Sequence, residues 1–199
     1  MNIITIVTGA EEENVYVVKE KHDVVIIDPG DEPSRILKAL GHGDIVHAIL
    51  LTHGHSDHVG AVDDLAEGLG CPVFIHPADM PLVSPPGFAE GFPVYTPLQP
   101  LAPEHVFGKI RVRVLPTPGH TAGSVCFRIR SSLFSGDTLF AADIGRTDLW
   151  SSDEAAMLSS LALLHTLPPD TKVYPGHGPD TTIGLERKVN PWFLDSRFR

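Results

Sequence analysis

Four side chains able to hold a metal ion stand within six positions of one another in "LLTHGHSDHVGA", residues 50–61: His53, His55, Asp57 and His58. His53 and His55 are two apart. On a helix they would point in different directions, unlike the i, i+4 pair of an H-E-x-x-H helix. On an extended segment leaving a strand, residues i and i+2 project to the same side, so both imidazoles can reach one cation. Asp57 and His58 fall where the next helix is expected to begin, so they turn elsewhere and are available to a second cation. A zinc site takes three or four N, O or S ligands, with one position left open when it is catalytic. The loop alone therefore offers part of two such sets.

Three further segments supply partners. "LPTPGHTAGS" sets His120 in a Pro/Gly loop between two strand-like runs, and "LFSGDTLF" sets Asp137 directly after a third, beside Gly136. "KVYPGHGPD" repeats the pattern, with His177 between glycines after another run. Each strand end presents one ligand-type residue, with glycine beside it to let the backbone bend close. Seven residues arranged in this way point to a metal site.

The elements that must position them follow from the hydrophobic pattern. "NIITIVT", "NVYVVKE" and "HDVVIID" are short β-branched runs separated by charged turns and predict a meander. "DPGDEPSRILKALG" predicts a helix starting near Pro33 and stopping near Gly41, and "DIVHAILL" a strand buried on both faces. "VGAVDDLAEGLG" predicts an amphipathic helix ending at Gly70, followed by the short strand "PVFIH". Residues 77–106, rich in Pro, Gly and aromatics, have weak periodicity and read as a loop, either a functional rim or a plain surface connection. "KIRVRVLPT", "SVCFRIR" and "LFSGD" are strand-like, "SSDEAAMLSSLALLHTL" is the clearest helix, "TKVYPG" is a last strand, and the tail from Ile183 predicts a short helix. Strands, then alternation, then strands, then alternation again suggest two packed sheets with helices on their outer faces.

With these residues and elements in place, "THGHSDH" followed by "PGH", "SGD" and "PGH" resembles the metallo-β-lactamase superfamily along the whole chain. "DPG" at 28–30, "GDTLFAADIGRTD" and "GHGPDTTIGLERKVNP" are similar to the glyoxalase II-like hydrolases, in the short form without the extra C-terminal helical domain. The resemblance implies an α/β fold, a four-layer αβ/βα sandwich of two mixed sheets, as one domain over residues 1–199. It implies two divalent cations, zinc first, with iron or manganese as alternatives that an all-N/O ligand set does not distinguish. His53, His55 and His120 would hold the first, Asp57, His58 and His177 the second, and Asp137 would bridge them. Two such cations, about 3.5–4 Å apart in typical sites, share a water and acidify it to a bridging hydroxide. Asp57 would orient that hydroxide or take its proton. Asp28 in "IIDPG" is expected to support the ligand loops, with a simple turn-forming role at a strand end as the alternative. Arg146 in "GRTD" stands where glyoxalase II carries a basic residue for the glutathione end of its substrate; a surface ion pair with Asp148 or Asp143 is the alternative.

The implied reaction is thioester hydrolysis of the S-lactoylglutathione (hydroxyacylglutathione) kind. A persulfide dioxygenase using one iron shares the fold and the "GRTD" resemblance, and lactone or phosphodiester hydrolysis is a further alternative. Ser124 and Ser135 read as structural, since no G-x-S-x-G elbow occurs. His22, His42, His47, His76, His105 and His165 are isolated from the pattern; of these, His76 ends a strand and is placed to approach the site.

The bulk numbers agree. A chain of 199 residues has enough core without staples, and a net charge of −10 argues against nucleic acid. Apolar runs are too short to span a membrane. "MNIITIVTGAEEEN" reads as a first strand and not a signal peptide. Cys71 and Cys126 are far apart in no C-x-x-C pattern, so reduced buried thiols and a cytoplasmic location are expected, with a small-molecule thioester as partner.

Overall fold

The structure is a computed structural model that describes residues 1–84 and 92–194. β1 (Asn2–Thr8), β2 (Glu13–Glu20) and β3 (Asp23–Ile27) form an antiparallel meander. α1 (Pro33–Lys38) leads to β4 (Ile45–Leu50), and α2 (Ser56–Val59) and α3 (Val62–Leu69) lead to β5 (Val73–Ile75). A 3-10 turn at Pro77–Asp79 runs into α4 (Met80–Val83), and β6 (Leu98–Pro100) follows the undescribed stretch. The second half contains β7 (Glu104–Phe107), β8 (Ile110–Pro116), β9 (Val125–Ile129), β10 (Ser132–Gly136) and a small ribbon of β11 (Leu139–Phe140) with β12 (Asp143–Ile144). α5 (Glu154–His165), β13 (Lys172–Pro175), β14 (Thr181–Thr182) and α6 (Ile183–Val189) complete it.

One sheet has the order β1-β2-β3-β4-β5-β6 and the other β14-β13-β10-β9-β8-β7. Both are mixed, with β3 to β6 parallel in the first and β10 parallel to β13 in the second. The strand period of two explains the nearly continuous apolar runs. In β3, Val25 and Ile27 point to the layer between the sheets, where they meet Phe127 and Phe134. Val24 and Ile26 point outward, into a second core with Ile36 of α1 and Leu65 of α3. A third core lies on the outer face of the other sheet, where Cys126 and Leu133 meet Met157, Leu161 and Leu164 of α5. The result is the four-layer sandwich.

Helix starts obey local chemistry. The Asp153 carboxylate accepts from Ala156 N at 2.9 Å and caps α5, and Thr182 caps α6 from its hydroxyl at 3.1 Å. The helix expected over 59–70 begins only at Val62, separated from α2 where Ala61 N leaves the helical ladder to donate to Pro29 O at 3.0 Å; Gly60 packs there against Gly30, and a Cβ on it would come within 2.4 Å of Gly30 O. Residues 77–106 are not a plain loop either. They carry α4, β6 and β7, with 85–91 outside the described residues. β6 and β7 are edge strands of their sheets, and edge strands tolerate the prolines that hid them. Among the described residues no helix is long and apolar enough to cross a membrane.

Candidate metal centre

All seven expected ligand residues follow the C-terminal ends of strands or start the helix after one, and the fold brings these ends to one edge of the sandwich. The edge is stitched from both sheets. Thr52 O accepts from Val125 N at 2.9 Å, and the start of β2 clamps the His177 loop. There Asn14 Nδ2 donates to Pro175 O (3.0 Å) and Gly178 O (2.9 Å), and Tyr16 Oη donates to Pro175 O at 2.6 Å. Gly176 has no room for a side chain, since a Cβ would lie 2.2 Å from Asp137 Oδ1.

His53, His55 and His120 present ligand atoms within 4.8 Å of one another, as do Asp57, His58 and His177, and His53, His58 and Asp137. His55 Nδ1 lies 2.9 Å from His120 Nε2. His177 Nε2 is 3.1 Å from Asp57 Oδ2, and His58 Nε2 is 3.5 Å from the same oxygen. Asp137 stands between the groups, with Oδ1 3.4 Å from His58 Nε2 and Oδ2 3.4 Å from His120 Nε2 and 3.7 Å from His177 Nε2.

Hydrogen bonds behind the rings fix which nitrogen faces the centre. His120 Nδ1 donates to Arg146 O at 2.9 Å and His177 Nδ1 to Glu11 O at 3.0 Å, since a carbonyl only accepts. The Asp28 carboxylate accepts from Thr52 N (2.7 Å), Thr52 Oγ1 (2.6 Å) and His58 Nδ1 (3.2 Å). Because Thr52 spends its hydroxyl proton on Asp28, its oxygen is left to accept from His53 Nδ1 at 3.1 Å. Four rings thus turn Nε2 lone pairs inward, the arrangement that oriented metal ligands require. Asp28 closes no turn of its own here; its side chain is buried and reaches 24 residues along the chain.

Donor atoms and electrostatics fit divalent cations. His53 Nε2, His58 Nε2 and Asp137 Oδ1 are buried without any hydrogen-bond partner, as is His55 Nε2. An unpaired buried polar atom is costly, and a cation would satisfy the inward-facing ones. Burial drives His53 well below the ordinary imidazole range, with His58 and His120 pushing the same way. Burial and then His120 bring His55 down to about 4. Burial also works against a proton on His58, but Asp137 and Asp28 outweigh it and hold that ring well above its usual range. His177 is likewise raised against burial, by Asp57 and then Asp137. Burial alone would raise both carboxyls, yet His177 and His58 hold Asp57 low, and His58 and His120 hold Asp137 low. Carboxylates and protons face each other where cations would replace the protons.

The cleft over this edge, about 340 Å³, is lined by Glu11, Asp57, His120, Arg146, Leu149 and His177 among others. The Arg146 guanidinium closes on Asp148 in two-pronged fashion, at 2.9 and 3.1 Å, and both side chains are exposed. The Arg146 carbonyl accepts from His120 Nδ1. The other six histidines lie outside the clusters among the described residues. His76 accepts from Ala78 N at the turn after β5. Ser124 and Ser135 are committed locally, to Thr121 and to Leu139 O.

Two buried carboxyls escape sequence reading. Asp79 Oδ2 accepts from Gly54 N (3.1 Å) and Thr121 Oγ1 (2.7 Å), and its Oδ1 from Gly123 N (2.6 Å), joining the loops of His53, His55 and His120. Glu13 lies behind His58, its Oε1 3.9 Å from His58 Nδ1, and burial pushes its carboxyl well above the usual range. "HPADM" lies in a segment without periodicity and Glu13 in a run of three glutamates, so neither stood out.

Two mixed sheets flanked by helices, with paired His/Asp clusters at one edge, define a metal-dependent hydrolase. The family model described as Metallo-beta-lactamase superfamily matches residues 8–177, and the chain belongs to that superfamily. It is 35% identical to the probable metallo-hydrolase YqgX of Bacillus subtilis (strain 168), covering 92% of this chain and 93% of that protein. It is 33% identical to the hydroxyacylglutathione hydrolase GloC of Haemophilus influenzae, covering 99% of this chain and all of GloC (100%). Among solved structures, TTHA1623 in a di-iron-bound form superposes with a TM-score of 0.84 at 44% identity, covering 95% of this chain and 99% of that one.

Proposed function

We propose that this protein hydrolyses a small-molecule thioester of the S-lactoylglutathione type. In this reading His53, His55 and His120 would hold one divalent cation and Asp57, His58 and His177 a second, with Asp137 available to both. The reading rests on one observation: seven His and Asp side chains converge at one edge, while Ser124 is held by Thr121 and Ser135 by Leu139 O. The full-length match to GloC supports the thioester as substrate. Zinc is the proposed occupant; iron is the alternative that the di-iron form of TTHA1623 favours.

Divalent cations bound here would supply Lewis acidity and an acidified water. The chain's own residues do the rest. Asp57, held ionised by His177 and His58, keeps about a quarter of its side chain open to the cleft and can accept a proton from an attacking water. Asp28 and Thr52 hold His58 and His53 in register. Arg146 at the rim is the proposed clamp for a substrate carboxylate. An exposed ion pair contributes only about 0–1 kcal/mol, so substrate can displace Asp148 from the guanidinium at little cost. Free, buried Cys71 and Cys126 fit a reducing compartment, and a cytoplasmic location is part of the proposal.

The test pairs elemental analysis of the native protein with two assays, S-lactoylglutathione hydrolysis and oxygen uptake on glutathione persulfide. Two cations per chain with thioester turnover is expected. Two cations without turnover would remove the substrate assignment, and one iron with oxygen uptake would make the protein a dioxygenase.

A further inference from the structure

The molecule is acidic overall, yet the end of the sandwich away from the metal ligands is basic. β8 runs about 20 Å from Ile110 toward the His120 loop. Around its Ile110 end and the facing end of β9, a cleft of about 330 Å³ is lined by Lys109, Arg111, Arg113, Arg128 and Arg130. One third of the chain's 15 Lys and Arg therefore gather in one place.

Their pairing is uneven. Arg111 is bound by Glu104, and Arg130 by Glu20 at 2.9 Å, a carboxylate also shared with the Met1 ammonium at 3.1 Å. Arg113 and Arg128 have no carboxylate within 4.0 Å among the described residues, although Glu104 faces Arg113 in the β7/β8 ladder. Among the described residues Arg128 gives its Nε to Arg130 O at 3.3 Å. These two arginines stand directly opposite each other in the β8/β9 ladder, on the face turned away from the inter-sheet core. Like charges directly across a ladder destabilise the pairing, and a neutral residue at either position would remove that cost. A ligand anion lying between the two guanidinium forks would turn the repulsion into a two-sided clamp, since each fork matches a phosphate in two-pronged fashion.

We propose that this cleft binds a small ligand carrying two linked anionic groups of the phosphate type, held between Arg113 and Arg128 and flanked by Lys109 and Arg130. The ligand is small because 25 Asp and Glu stand against 15 Lys and Arg over the whole chain. A nucleic acid or an anionic membrane reaching past the cleft would meet net repulsion.

Inorganic pyrophosphate is the probe, titrated calorimetrically into the metallated protein and into metallated R113Q/R128Q, with metal content measured before and after. Saturable 1:1 binding that weakens about tenfold or more in the double variant, at unchanged metal content and hydrolase activity, is expected. No binding, or equal binding to both proteins, overturns the proposal, the second outcome placing the anion at the metal centre. Thermal unfolding at low salt gives an independent readout. The double variant should melt no lower than the parent without ligand, and pyrophosphate should raise only the parent's Tm. A lower melting point for the unliganded double variant would make the two arginines structural and end the proposal.

Discussion

At the candidate metal centre four imidazoles, those of His53, His58, His120 and His177, owe an inward-facing Nε2 lone pair to an acceptor on the far side of the ring. For His58 that acceptor is Asp28, which has no other hydrogen-bond partners than Thr52 and His58 among the described residues. Asp28→Asn keeps the shape and one carbonyl oxygen for Thr52 N, but it turns an NH2 toward two donors, Thr52 Oγ1–H and His58 Nδ1–H. The favourable response is for His58 to move its proton to Nε2, where it faces Asp137 and blocks a cation. Removing partners of this kind typically costs 10- to 100-fold in metal affinity or activity. The expected result is a loss of that size for one of the two cations, with far-UV circular dichroism unchanged. Competition against a chromophoric chelator measures it, and a variant with parental affinity at both sites would contradict the tautomer argument.

At the scale of elements, ligand geometry depends on loops joined through distant carboxyls. Asp79, in the turn before α4, gathers Gly54, Thr121 and Gly123. Asp79→Ala would strand buried donors in two ligand loops at once, a cost of about 2–4 kcal/mol from broken charge-assisted bonds and unsatisfied groups. Urea unfolding should show that loss, and cation binding by the His53, His55 and His120 set should weaken more than by the other set. Asp44 plays a simpler part at the start of β4, accepting from Lys19 Nζ at 2.5 Å and Gly41 N at 2.8 Å. Lys19 first, then Gly41, hold its carboxyl below the usual range. The unfolded chain thus takes up the proton at a higher pH than the folded one. The stabilisation is present above about pH 4 and is lost as pH falls through the folded value. Asp44→Asn in the cation-free protein should cost about 1 kcal/mol at pH 7 and progressively less below pH 4, by urea unfolding at each pH.

The strands and the converging His/Asp clusters were readable in the sequence for a shared reason: burial on both faces forces continuous β-branched runs, and the residue types of a metal site stand out at their ends. Asp79 was not readable because its partners lie 25, 42 and 44 residues away, and only the packed sandwich makes them neighbours. β6 and β7 were hidden by the tolerance of sheet edges for proline. At Arg146 the alternative offered by the sequence, an ion pair with Asp148 or Asp143, is present with Asp148; the choice between the two carboxylates depends on a local turn that periodicity does not encode.

For the whole molecule, the question is whether cations at the candidate centre would hold the fold or only use it. Three apolar cores, one between the sheets and one under each helical layer, are built from aliphatic and aromatic side chains such as Val24, Phe127 and Leu161 that are not members of the His/Asp clusters. A chain of this length buries enough apolar surface to fold without staples. Binding to the native state alone still adds stability, about 2.7 kcal/mol for a free cation at 100 times its Kd. In a protein of this size 1 kcal/mol moves Tm by about 2–4 °C. Loss of both proposed cations removes about twice that stability, so chelation with EDTA should lower Tm by about 10–20 °C, leave the 25 °C far-UV spectrum and the cooperativity of unfolding unchanged, and be reversed by added zinc. A spectrum that collapses on chelation would mean that the ligand edge, and not the three cores, carries the fold; an unmoved Tm would mean that the clusters take up no cation.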